Sequence, residues 1–175
     1  MTSEFAIGVH ALVFLNHKRK VESSEIVAEN VCTNPARVRK VLSKLKKAGL
    51  VETKEGAEGG CLFDADANLV NLCMIADALG TTFVSASWKS GNPDMDCMIA
   101  SGMAGLLDEL YQGMDQNCRE YLKKITIADL DRQIFTDRQA LPCDSPSAPA
   151  SAAWRQSAPP ATPAAQREKT AAHSE

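Results

Sequence analysis

The sequence lacks a CxxC pair, a dense His/Cys cluster, an overall positive charge and any apolar run long enough to cross a bilayer. Its six cysteines (Cys32, Cys61, Cys73, Cys97, Cys118 and Cys143) are scattered, which argues against a zinc finger and against a disulfide-stapled secreted fold. They are expected to be free thiols, most of them serving as small core residues. The formal charge is −3, so no global field draws the chain onto nucleic acid, and any such binding has to come from a local patch. The first apolar stretch, 5–15, is too short for a membrane span and no basic residue precedes it, so a soluble cytoplasmic chain without membrane contact is expected. No metal site, cofactor or catalytic residue is expected. A thiol enzyme built on Cys97 is disfavoured because His10, His17 and His173 all lie far from it in sequence.

What is present fits one globular domain plus an accessory segment. From about Ala140 the chain is rich in Ala, Pro and Ser and nearly free of large apolar residues, so the segment 136–175 is read as a disordered tail, with Trp154 and Arg155 solvated. The ordered part opens with a helix over 4–16 whose apolar residues lie on more than one face, the mark of a buried helix. His10 and His17 have no second ligand at metal spacing and read as structural or surface residues. Ser23 or Ser24 caps a short helix through Ala28 and Glu29, and residues 30–33 form a tight turn. Asn34 then caps a second helix with Pro35 in its first position. That helix runs to about Ala48 and Gly49 ends it.

In this second helix Val38, Val41, Leu42 and Leu45 form an apolar stripe, while Arg37, Lys40, Lys44 and Lys47 recur at helical spacing on another side. Solvated helix faces usually mix signs, yet this helix contains no acidic residue. From Pro35 to Lys54 there are seven basic residues and one acidic residue, Glu52, a local charge of +6 in a chain that is acidic elsewhere. Phosphate contact is the preferred reading and an inert charged face the alternative. A hairpin follows, with strands near 50–54 and 61–63 around the glycine-rich 55–60. Helix, turn, helix, hairpin is the winged-helix order.

A helix over 72–79 stops at Gly80, and a loop through Gly91, Asn92, Pro93 and Asp94 leads to Cys97. The last long element spans about 98–124. Ile99, Met103, Leu106, Leu110 and Met114 form one apolar row, and Leu107, Tyr111, Cys118, Leu122 and Ile125 a neighbouring one. Two rows need two covering surfaces, either the chain's own core or a partner's matching helix, and the helix is long for so small a domain to cover alone. The expected dimer contacts are Met103, Leu106, Leu107, Leu110 and Met114. The fold class is therefore mainly α with a small β-hairpin wing: a winged helix-turn-helix head over 1–80, a loop carrying Cys97 over 81–97, and a dimerisation helix with a closing segment over 98–135.

The stretches FAIGVHALVFL, NPARVRKVLSKLKKAGLV, EGAEGGCL, LCMIADALG and ITIADL together resemble the Rrf2 family of bacterial transcription regulators, over roughly 5–130. The Asn-Pro-x-x-Val-Arg form of the basic helix is most similar to the subgroup without an iron-sulfur cluster. Only Cys97 stands where cluster-binding members carry three cysteines. The wing departs from the family's Arg-Gly-Pro-Gly-Gly-Gly-Tyr, with Glu55 in place of the arginine and Cys61 in place of the tyrosine. The resemblance implies a homodimer joined by the long helices, which places each basic helix in a major groove and each wing at a minor groove of a palindromic operator.

On this reading Arg37, Arg39, Lys40, Lys44 and Lys47 meet phosphates, Asn34, Ala36, Arg37 and Lys40 also read the groove, and Lys54 and Gly56 serve on the wing. The partner is double-stranded DNA and the expected role that of a repressor. If Asp96 caps the long helix, Cys97 lies in its first turn, where the helix dipole favours a thiolate, so an oxidant acting on Cys97 or a small molecule is the expected effector. The rival reading is a winged-helix interaction module whose basic helix binds an acidic protein without DNA specificity.

Overall fold

A computed structural model describes residues 3–56 and 59–137. The expected tail beyond 137, with Cys143, Trp154 and Arg155, lies outside the described residues. In chain order the elements are α1 (Ser3–Lys18), α2 (Ser24–Val31), α3 (Pro35–Lys47), β1 (Glu52–Lys54), β2 (Gly60–Leu62), α4 (Leu72–Leu79), α5 (Met98–Leu122) and α6 (Ile127–Asp137). Helices with a two-stranded hairpin match the expected class.

The central helix is α1, which touches α2, α3, α4 and α6. Its apolar residues are needed all round because it is covered on several sides, and Ala11, Leu12 and Leu15 are fully buried. Val38, Val41 and Leu45 of α3, Ile75 of α4, Phe63 after the hairpin and Ile127 of α6 complete this core. His10 and His17 do structural work from α1. His10 Nε2 lies 3.0 Å from Asn30 Oδ1 of α2, and His17 stacks on Phe135 of α6 with ring centroids 4.1 Å apart.

The hairpin is antiparallel, with Glu52 opposite Leu62, Thr53 opposite Cys61 and Lys54 opposite Gly60. Glu22 docks on its far edge through a reciprocal pair, Glu22 N–H to Cys61 O at 2.9 Å and Cys61 N–H to Glu22 O at 2.8 Å. This close approach requires glycine at position 60, since a Cβ there would lie 2.4 Å from the Glu22 carbonyl oxygen. The segment before α2 thus fixes the wing against the helix-turn-helix.

Two elements differ from the sequence expectation. The ITIADL stretch is the start of a full helix, α6, whose end also extends two residues past the expected tail boundary at 136. Thr126 and Asp129 form a reciprocal capping box, Thr126 N–H to Asp129 Oδ2 at 3.0 Å and Asp129 N–H to Thr126 Oγ1 at 3.1 Å. At the start of α5 the N-cap is Cys97, not Asp96.

Candidate nucleic-acid interface

Three of the four main caps carry a side chain suited to the task. Ser23 Oγ accepts from Ile26 N–H, Asn71 Oδ1 from Met74 N–H at 3.0 Å, and Asn34 Oδ1 from Ala36 N–H at 2.8 Å. Asn34 therefore spends its oxygen on α3 and leaves its Nδ2 donors for a ligand. With Pro35 in the first turn the helix starts rigidly, and its apolar stripe, Val38, Val41, Leu42 and Leu45, is wholly buried. The opposite side of α3 faces out, with Ala36, Arg37, Arg39, Lys40, Lys46 and Lys47 exposed and Lys44 half-buried.

The basic residues do not stand alone. Glu4 of α1 bridges two of them, with Oε1 2.8 Å from Lys40 Nζ and Oε2 2.6 Å from Lys44 Nζ. Hydrogen bonds from Lys40 and then Lys44 hold the Glu4 carboxyl down at about 2. Arg39 pairs with Glu25 of α2 and donates through Nε to Ser24 Oγ at 3.0 Å, which lowers the Glu25 pKa. Arg37 Nη2 donates to Ser3 Oγ at 2.6 Å. Acidic residues missing from α3 itself are thus supplied by neighbouring helices, so the net field of this face is weaker than the local sequence charge implies. Among the described residues no ion pair involves Lys46, Lys47 or Lys54.

Lys46 was absent from the residues expected at the interface. Arg39, Ser43 and Lys46 form a second polar row on α3, stepping by four and three. This row faces a groove of about 340 Å³ between α3 and the hairpin, whose other wall includes Thr53, Lys54 and Gly60. Arg39, which lay off the first basic row, has its place here. Glu55 and Gly56 follow on the wing, and Cys61, standing where a tyrosine was expected, turns inward and is buried, burial pushing its thiol pKa up.

The α5 helix has no buried residue. Ile99, Leu106, Leu110 and Met114 are exposed, while Met103, Leu107, Tyr111 and Cys118 are half-buried. Leu122 and Ile125 pack on the head's core, so the second apolar row is partly covered along its length and joins the core at its end. Cys97 is exposed at the helix start. Its sulfur makes no formed cap hydrogen bond, but the amide N–H groups of Ala100 and Ile99 favour the thiolate and lower its pKa. The preceding loop is held to this turn by Asn92 N–H donating to Ala100 O at 2.9 Å. Gly91, at φ +78, passes so close to that carbonyl that any side chain would collide with it.

Residues 1–133 match the family described as Rrf2, iron-dependent transcriptional regulator. The chain belongs to the Rrf2 family. Over 137 residues it is 27% identical to YwnA of Bacillus subtilis (strain 168), named as an HTH-type transcriptional regulator, covering 77% of this chain and 99% of YwnA. A crystal structure of a transcriptional regulator from Lactobacillus plantarum has 27% identity and a TM-score of 0.68, covering 77% of this chain and 91% of that one. The IscR structure from T. potens, at 20% identity and a TM-score of 0.60, covers 80% of this chain and 91% of its own and shares the fold. The protein is accordingly a DNA-binding transcription regulator with a winged-helix head. Among the described residues no helix is long and apolar enough to cross a membrane.

The Rrf2 description names iron, and the residues of one chain do not fit an iron centre. Among the described residues no three His, Cys, Asp or Glu side chains are grouped to hold a metal ion. Cys61 and Cys73 are buried, and Cys97 and Cys118 are separated by about 30 Å along α5 at about 1.5 Å per residue.

Proposed function

We propose that this Rrf2 regulator acts as a homodimeric repressor on a palindromic operator. Two copies join through the α5 residues Met103, Leu106, Leu107, Leu110 and Met114, and two-fold symmetry makes the operator palindromic. Each α3 lies in a major groove, with Ala36, Arg37, Lys40 and the Asn34 amide at base edges and Arg39, Lys44 and Lys47 at phosphates. We add Lys46 to this set, with Lys54 and Gly56 approaching from the wing. The single observation that carries the reading is α3 itself, whose apolar stripe is fully buried while its outer surface holds basic residues and no acidic one. Leu106, Leu110 and Met114, which stand open on the isolated chain, support the dimer.

Cys97 is the proposed input. A peroxide oxidises its thiolate by two electrons: sulfur attacks one oxygen, the O–O bond breaks, a sulfenic acid forms, and the leaving oxygen takes a proton as water or alcohol. At the N-cap of α5 this adds a polar group where loop 81–97 meets the helix, which changes the angle between dimer helix and head and weakens operator binding.

The test is fluorescence anisotropy of the full chain against DNA upstream of its own coding region, at two salt concentrations, with and without peroxide. Tight, salt-dependent, sequence-selective binding that peroxide weakens is the expected result. Equal affinity for a scrambled duplex would overturn operator recognition and favour the acidic-protein module.

A further inference from the structure

A polar cavity of about 520 Å³ lies between the end of α1, the 64–68 loop and the first turns of α6. Two of its lining residues carry acceptors with nothing to accept. Asn16 is 2% exposed and its Oδ1 has no hydrogen-bond partner. Asp131 Oδ1 is also buried and accepts no hydrogen bond, with His17 Nδ1 3.6 Å away. Buried acceptors without donors are costly, and native proteins rarely keep two in one place. Asp64, Asp66, Arg19 and Arg132 also line this cavity.

We propose that this cavity binds a free α-amino acid. The ligand's ammonium group donates to Asn16 Oδ1 and Asp131 Oδ1, and its carboxylate meets Arg19 and Arg132. An anion alone would face Asp64, Asp66 and Asp131, and an amine alone would meet Arg19 and Arg132, so a zwitterion suits the mixed lining best. A metal ion suits the site less well, since its carboxylates are not gathered as a ligand set. Arg19 is exposed and is placed here at φ +53, a position that glycine ordinarily fills at a helix end. Arg132 has only a loose contact to Asp129 at 3.5 Å. The volume falls in the range of small-molecule sites, with room for a side chain beyond the shared amino-acid core.

The site joins the head to the segment that follows α5. Ile127 N–H donates to Val70 O at 3.0 Å and Ala128 N–H to Ala67 O at 3.1 Å, so the 64–70 segment and α6 already move as one. A ligand clamping both to the end of α1 stiffens the attachment of α5 and α6 to the DNA-binding head. Its effect on operator affinity, which rests on the regulator reading above, follows from any difference in its affinity for the two orientations.

The experiment is a thermal-shift screen of the full chain with each proteinogenic α-amino acid, followed by calorimetric titration of those that shift it. At least one amino acid is expected to bind saturably. Its deaminated acid and its decarboxylated amine should each bind at least about tenfold more weakly. Asp131→Asn, which is isosteric, and Arg132→Gln, at the protein surface, should each lose about tenfold in affinity. Asn16→Leu should remove binding while holding or raising the unliganded melting temperature. Absence of saturable binding by any amino acid overturns the proposal, as do truncated analogues that bind equally well or Asp131 and Arg132 variants that bind like wild type. Operator anisotropy is read separately, so loss of DNA binding with amino-acid binding intact would fell the regulator reading and leave this site standing.

Discussion

Lys44 Nζ of α3 lies 2.6 Å from Glu4 Oε2 of α1, so a carboxylate sits at the base of the proposed DNA-binding face. On the proposed reading DNA has to compete with it for Lys40 and Lys44. Glu4→Gln is therefore expected to tighten operator binding by about 1 kcal/mol, roughly fivefold, in anisotropy at low salt. The same pairs stabilise the fold only when Glu4 is ionised. Its pKa falls from 4.5 unfolded to about 2 folded, so the contribution is fully present above pH 4.5 and is lost as pH falls through 2. Lys40 is 67% exposed, so solvent screening holds the effect to about 1 kcal/mol or less. Urea unfolding of wild type and Glu4→Gln should differ at neutral pH and converge towards pH 2.

This ion pair also marks where sequence reading stops. The apolar stripe of α3, its Asn34 cap, the extent of α4 and the hairpin's glycines are local properties, and periodicity and cap chemistry reveal them. Glu4 and Glu25 reach α3 only through tertiary packing, which no count of charges between Pro35 and Lys54 contains. Lys46 was legible in principle, since Arg39, Ser43 and Lys46 repeat at helical spacing, but only the hairpin's position gives that row a wall to face. The α6 helix was signalled by the Thr-Ile-Ala-Asp capping box and read instead as a closing segment.

Lys46 gives the most direct test of the groove between α3 and the wing. If it meets a phosphate, Lys46→Ala should weaken binding to specific and scrambled duplexes alike and lower the slope of log affinity against log salt by about 1. An unchanged slope would confine DNA contact to the first basic row.

Arg119 of α5 gathers three partners, one of them on its own helix. It pairs with Asp77 of α4, donates through Nε to Asp115 at 2.9 Å, and donates through Nη2 to the Thr81 carbonyl at 2.7 Å. Asp115 in turn accepts from Phe83 and Val84 N–H at 2.6 and 3.0 Å, and these donors help hold its pKa low. Removing the guanidinium leaves a largely buried carboxylate without its cation. Arg119→Ala should cost about 2–3 kcal/mol in denaturant unfolding. Arg119→Lys should recover only part of that, because an ammonium cannot span all three partners.

Leu110 is 57% exposed on the isolated chain. In a monomer, Leu110→Glu would change stability by about 0.5 kcal/mol or less. At the centre of a helix-to-helix interface it would bury two like charges close to the two-fold axis. Sedimentation equilibrium should therefore show wild type as a dimer and Leu110→Glu as a monomer, with operator affinity lost in parallel. A variant that sediments like wild type would rule out this face as the interface.

The Cys97 thiol has two amide N–H groups near it, from Ala100 and Ile99, and its pKa is lowered. Cys61 and Cys73 are buried, and burial raises both. Nucleophilic attack requires thiolate, so Cys97 should be alkylated by iodoacetamide at a lower pH than an ordinary thiol, while Cys61 and Cys73 stay unmodified until the protein unfolds. Mass spectrometry resolved by residue, run as a pH series, checks this order. Cys97→Ser should bind the operator equally well with and without peroxide. A wild-type protein whose Cys97 is alkylated readily but whose DNA affinity ignores peroxide would separate reactivity from regulation. The thiol would then be a consequence of helix capping, and the effector would have to be sought elsewhere on the head.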